Sequence, residues 1–169
     1  MPVCAVTPDT DPSTPSTLVL GIGNTLLSDE GVGVHAMHRL TEQCRDLGAV
    51  EFLDGGTLSF TLANPIADNP NLIVIDAANF NAEPGTVRVF LDGAMDEFLN
   101  AAGKRSVHEV GLIDLLSIAS LTGTLPERRA LIGVQPLELG WGEQPSAAVA
   151  AAIPRVCEIA RQLLLDWQA

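Results

Sequence analysis

Residues 17–34 read TLVLGIGNTLLSDEGVGV. The run TLVLG at 17–21 is apolar and closes in glycine, as a buried central strand does, and IGNTLLS follows it as a loop. A helix is expected from Ser28 or Asp29, because Val34, Met37, Leu40, Cys44 and Leu47 step by three and four and Gly48 follows as a stop. Strand, glycine loop and one-faced helix together form the opening unit of an α/β fold.

The rest of the chain repeats the alternation. Residues 50–53 form a second strand ending in Asp54-Gly55-Gly56, and a short helix is expected over 58–67. NLIVI at 71–75 is a third buried strand, closing at Asp76. Pro84-Gly85 turns the chain into a fourth strand at 86–91, helical patterns occupy 94–102 and 111–121, and a fifth strand covers 130–134. The last helix is expected over 146–167, kinked or restarted at Pro154. This order predicts an α/β three-layer sandwich, a mainly parallel five-stranded twisted sheet with helices on both faces. Such a sheet binds ligands outside the carboxyl ends of its strands. Residues 1–16, rich in Pro, Thr, Ser and Asp, are expected to be a disordered tail, leaving 17–169 as a single domain without repeat or linker.

Composition narrows the partners. Of 169 residues 47% are hydrophobic but only 4% aromatic, with no tyrosine, so the core is expected to be stacked from Leu, Ile, Val and Ala. Twenty-one acidic residues face nine basic ones, a formal net charge of −12, and Lys104 is the single lysine. That balance excludes the row of phosphate contacts that nucleic acid or an anionic membrane surface demands. The longest apolar stretch, 147–153, falls far below the roughly 20 residues of a membrane span. The N-terminus has neither a basic nor an apolar leader region, so a cytoplasmic location is expected. Cys4, Cys44 and Cys157 lack CxxC spacing, which argues against a disulfide framework and against a thiolate metal site; Cys44 and Cys157 read as core filler.

Gly21 and Gly23 resemble the start of a dinucleotide fingerprint, but Leu26 stands where its third glycine belongs and Asp29 and Glu30 would repel a phosphate at the helix start. In that position Asp29 can serve as a helix cap. Glu30 after the first strand, Asp54 at the end of the second and Asp76 at the end of the third should meet on one rim of the sheet. Clustered carboxylates repel one another unless a cation is present, which makes a cation the economical reading. His35 and His38 lie three apart inside the first helix without an H-E-x-x-H pattern and read as structural. His108, in the loop KRSVHEVG, is the better ligand. Glu30, Asp76 and His108 would offer two oxygens and one imidazole nitrogen with open positions, suited to Ni²⁺ or Zn²⁺ and not to Cu(I), although their separations match no local metal motif. A nucleophilic hydrolase is disfavoured, since G-x-S-x-G is absent and Ser106 beside His108 is the only suggestive pair.

Five ordered blocks then carry a resemblance: LVLGIGNTLLSDEGVGV at 18–34, LDGGT at 53–57, LIVIDAA at 72–78, SVHEVGL at 106–112 and LIGVQPLELGWG at 131–142. Together the chain resembles the hydrogenase maturation proteases, endopeptidases that trim the C-terminus of the large subunit of nickel-iron hydrogenases. The resemblance implies that Glu30, Asp76 and His108 are the metal-binding and catalytic residues, that Gly21, Gly23 and Asn24 form the family's glycine-asparagine loop, and that Asp54 begins its DGG segment. It implies as partner a nickel-loaded large-subunit precursor, met by a monomer, with nickel borne by the substrate or bound transiently and another divalent metal as an in vitro substitute. Either a metal held by the protease activates water, or its side chains recognise nickel already seated in the substrate; in the latter case Asp54 is a candidate general base. The competing readings are a non-cleaving nickel-dependent binding module or chaperone for the same precursor, and a nucleotide-binding α/β domain.

Overall fold

The computed structural model describes residues 16–101 and 109–169, with the side chains of Glu109 and Val110 outside the description. In chain order the elements are β1 (Thr17–Ile22), α1 (Val32–Gln43), β2 (Val50–Gly56), α2 (Ala63–Asp68), β3 (Asn71–Ala77), β4 (Val87–Leu91), α3 (Asp92–Asn100), α4 (Glu109–Thr122), β5 (Arg128–Val134) and α5 (Ala147–Gln168). Short 3-10 turns at Ser28–Gly31 and Phe60–Leu62 precede α1 and α2. The sheet order is β2-β1-β3-β5-β4. β1, β2, β3 and β5 are parallel, and β4 is an antiparallel edge strand on β5. This is the expected α/β architecture, with five strands and five α-helices among the described residues.

The two faces of the sheet carry separate cores. Val19, Ile73, Ile75, Ile132 and Val134 pack under α1 and α5, through Val32, Met37, Leu40, Val149, Val156 and Leu164. Leu18, Leu20, Ile22, Leu72, Val74 and Leu131 pack against α2, α3 and α4. Strand alternation explains the division, since successive residues of a strand point to opposite faces. β1 and β3 are buried along their whole length, as strands covered on both sides must be.

Two local expectations change and a third holds. The chain does not enter an α-helix at Ser28: a 3-10 turn occupies Ser28–Gly31, opening at Ser28 with φ of 47°, and α1 begins only at Val32. α5 does not restart at Pro154 but runs through it as one helix. Both Pro154 and Ala150, whose carbonyl loses an intrahelical donor to the proline ring, lie on the exposed side, where water can replace the bond. Cys44 and Cys157 are free and buried, as core filler should be. Burial pushes the Cys157 thiol up to about 11 and also raises that of Cys44.

Candidate active site

β1 is the point where the sheet order reverses, with β2 on one side and β3 on the other. Open α/β sheets bind ligands in the crevice at such a point. In register Gly21 lies between Asp54 of β2 and Ile75 of β3, so the expected acidic positions reach the same end of the sheet. α1 descends directly onto this end. A Cβ on Gly33 would lie 2.1 Å from the Ile75 carbonyl oxygen and 2.3 Å from that of Ile22, and one on Gly21 would lie 2.6 Å from the Gly33 carbonyl oxygen.

The glycine loop serves this packing. Gly23 has φ of +138°, and a Cβ there would sit 1.8 Å from the carbonyl oxygen of Glu30. Only glycine fits both the backbone conformation and the space. What resembled a phosphate cradle is therefore a socket for the backbone of Glu30. The turn that carries Glu30 packs on β3, whose penultimate residue is Asp76. Glu30 is 7% exposed and Asp76 1%, and Asp76 Oδ1 accepts the N–H of Ala77 at 2.8 Å.

Asp29 does something the sequence reading missed. Neither the 3-10 turn nor α1 has a side-chain cap, so Asp29 does not act as one. Its fully buried carboxylate instead reaches across to the loop at 135–146. Oδ2 accepts the N–H groups of Leu137 and Glu138 at 2.8 and 2.9 Å and the Ser146 hydroxyl at 2.9 Å, while Oδ1 accepts the Ser146 N–H at 2.6 Å. Burial alone would raise its pKa, but these donors outweigh it and hold the carboxyl below its ordinary value. Backbone bonds complete the clamp: Ser28 N–H donates to the Gly142 carbonyl at 2.7 Å, Gly142 N–H to Leu26 at 2.9 Å and Asp29 N–H to Glu138 at 3.0 Å.

A second clamp ties the same loop to the segment after β3. Gln135 Oε1 accepts the N–H groups of Phe80 and Ala82 at 2.6 and 3.3 Å, and its Nε2 donates to Asn79 Oδ1 at 3.3 Å. The available signal for both was the block LIGVQPLELGWG at 131–142, whose Gln and glycines had no other assigned task.

Asp54 sits apart from these buried groups. Its side chain is half exposed, accepts the Gly56 N–H at 2.8 Å and faces His38 Nε2 at 3.9 Å. Alternation along β2 puts it on the side of Phe52, toward α1, whereas Asp76 shares the side of Leu72 and Val74, toward α2–α4. Glu30 thus lies in a turn packed on β3, the strand that carries Asp76, while Asp54 is turned toward the α1 face. His108 lies outside the described residues. Among the described residues no group of three His, Cys, Asp or Glu side chains could hold a metal ion. His38 stands on the surface beside Asp54, while burial, and then the nearby His38, push the His35 imidazole below its ordinary pKa.

Comparison with known proteins follows the same line. The family model described as "Hydrogenase maturation protease" matches residues 34–163. The chain is 41% identical over 157 residues to the hydrogenase expression/formation protein HupD of Rhizobium leguminosarum bv. viciae, covering 92% of this chain and 77% of that one. It is 39% identical over 124 residues to the hydrogenase 2 maturation protease of Escherichia coli K12, covering 72% and 74%. Among solved structures, the hydrogenase maturating endopeptidase HybD from E. coli superposes with a TM-score of 0.80 at 33% identity, over 89% of this chain and 93% of that one. The [NiFe] hydrogenase maturation protease HybD from Thermococcus kodakarensis gives 0.76 at 32% identity, over 88% and 99%. The chain belongs to the hydrogenase maturation protease family and is an endopeptidase of that class.

Proposed function

We propose that the protein removes the C-terminal extension of a nickel-iron hydrogenase large-subunit precursor after nickel insertion, and that Glu30, Asp76 and His108 meet the nickel carried by that substrate. The observation that supports the reading is the burial of two carboxylates, Glu30 in the turn packed on β3 and Asp76 in β3, in a chain of the maturation protease family. Two carboxylates held in one dry crevice gain from an arriving cation, which offsets their mutual repulsion and the loss of water. With an imidazole from His108 they make an open, mixed oxygen-nitrogen donor set that fits a borderline divalent ion such as Ni²⁺.

When bound there, the ion polarises an adjacent carbonyl and lowers the pKa of a water next to it. The chain's own part is to hold the donors in place beforehand. Gly23 seats the Glu30 backbone, β3 fixes Asp76 by its register with β1 and β5, and the Asp29 clamp stops the turn from shifting. Asp54, half exposed and turned toward His38, is a poorer general base for a bond held over Asp76.

The test is cleavage of one precursor prepared with and without inserted nickel. Shortening is expected only of the nickel-loaded form, and protein stripped with a chelator before mixing should still cut it. Asp76→Ala and His108→Ala should stay folded and cut at least roughly a hundredfold more slowly. Equal cleavage of the nickel-free precursor would overturn nickel recognition, and normal processing by both variants would overturn the site. Loss of cutting on chelation, restored by added metal, would assign the ion to the protease.

A further inference from the structure

Four large apolar side chains lie in the open beside the Glu30 turn: Leu26 is 49% exposed, Leu137 63%, Leu139 45% and Trp141 85%. Exposing one such residue is ordinary, but a contiguous group is a mark of an interaction surface. Elsewhere the chain packs aromatic rings against one another. Phe80, Phe90 and Phe98 form a cluster with centroids 4.2 to 6.0 Å apart. The group is not exposed through any looseness of its loop. Leu27 and Gly142 form a β-bridge, the Ser28 hydroxyl donates to Gly140 at 2.9 Å, and the buried Asp29 holds Leu137, Glu138 and Ser146.

We propose that Leu26, Leu137, Leu139 and Trp141 form a rigid docking shelf for an apolar, non-acidic segment of the hydrogenase precursor next to the bond that is cut. The inference rests on the function proposed above, since it takes the precursor as the substrate. Two features select this occupant. The shelf is continuous with the candidate site, because Leu26 and Asp29 belong to the segment that presents Glu30 and the loop is bonded to that segment. Its charge is complementary to such a segment: exposed Glu138 and Glu143 flank the apolar residues on a chain of net charge −12, which repels an acidic peptide and accepts an apolar or basic one. A pinned loop also loses little freedom on binding, so an exposed Trp there is suited to be an anchor.

The shelf predicts a split in kinetics. With nickel-loaded precursor, Trp141→Ala and Leu139→Ser should raise KM about tenfold or more and change kcat by no more than about twofold, with Trp141→Phe recovering most of the loss. Leu121→Ser, at an 88% exposed position near the far end of α4, is the control and should change neither constant. If the parent protein cuts and Trp141→Ala has an unchanged KM, the shelf is wrong while the protease reading stands. If the parent protein does not cut, the protease reading falls, and binding decides the shelf alone. For that arm Trp167→Phe leaves Trp141 as the only tryptophan of the chain. Labelled with 5-fluorotryptophan, its single fluorine resonance should shift when nickel-loaded precursor is added; an unmoved resonance with excess precursor overturns the proposal.

Discussion

Asp29 and Asp54 are the same residue type at the same end of the same sheet, yet they live under opposite physics. Asp29 has no exposed surface and collects four hydrogen bonds from a loop more than a hundred residues away. Asp54 is half in solvent, accepts one neighbouring N–H and faces a histidine at 3.9 Å. A buried carboxylate is tolerated only with donors enough to replace its water, and those donors then depend on it in turn. An exposed one is screened and owes its neighbours little. Position on the rim of a sheet therefore says less about an acid's importance than what it would leave behind if removed.

Substitutions can break or sharpen that contrast. The largest effect is expected from Asp29→Ala, which leaves the N–H groups of Leu137, Glu138 and Ser146 without their acceptor. It should lower unfolding free energy by about 3 kcal/mol or more in urea titration. A loss as small as that of an exposed acid would erase the distinction. Gly23→Ala forces a Cβ against the Glu30 carbonyl at a positive φ, and should cost about 2 to 4 kcal/mol by thermal melting while also depressing cleavage.

Next come the two buried thiols. With Cys157 at about 11 in the fold against an ordinary value near 9.0, the unfolded chain sheds the proton first as alkali is added. Stability is thus intact below pH 9 and should fall between about pH 9 and 11, a decline that Cys157→Ala flattens in denaturation curves collected across that range. The smallest effect belongs to Asp54→Asn, expected to change stability by no more than about 0.5 kcal/mol. Its cleavage rate should stay within roughly threefold of the parent, whereas a hundredfold loss would restore Asp54 as a general base.

Much of the scaffold was readable because it is written locally. TLVLG and NLIVI are apolar on both faces and can only be central strands, and the steps from Val34 to Cys44 define the buried side of α1. Glu30 and Asp76 followed from the strand ends, and both are buried, one in the turn that packs on β3 and the other in β3 itself. Asp29 was not readable in the same way. Beside a helix start an aspartate looks like a cap, and nothing near it in sequence announces that its donors are residues 137, 138 and 146. Alternation could have separated Asp54 from Asp76 in advance, but only once the register of three strands was known. The early glycines illustrate a further limit: glycine marks a close approach of backbone without saying whether a phosphate or another turn of the same chain is approaching.

The Asp29 clamp also sets an order of assembly. The two backbone donors to its Oδ2 lie 108 and 109 residues along the chain from Asp29, and the Ser146 contact spans 117. Contacts so distant in sequence close late, after the loop entropy between them has been overcome. On a ribosome releasing the chain from its N-terminus, β1, the glycine socket and β3 emerge well before residue 146 does. The turn bearing Glu30 can be locked only when β5 and the segment behind it have been made, so a truncated or half-synthesised chain carries Glu30 and Asp76 without the brace that fixes that turn.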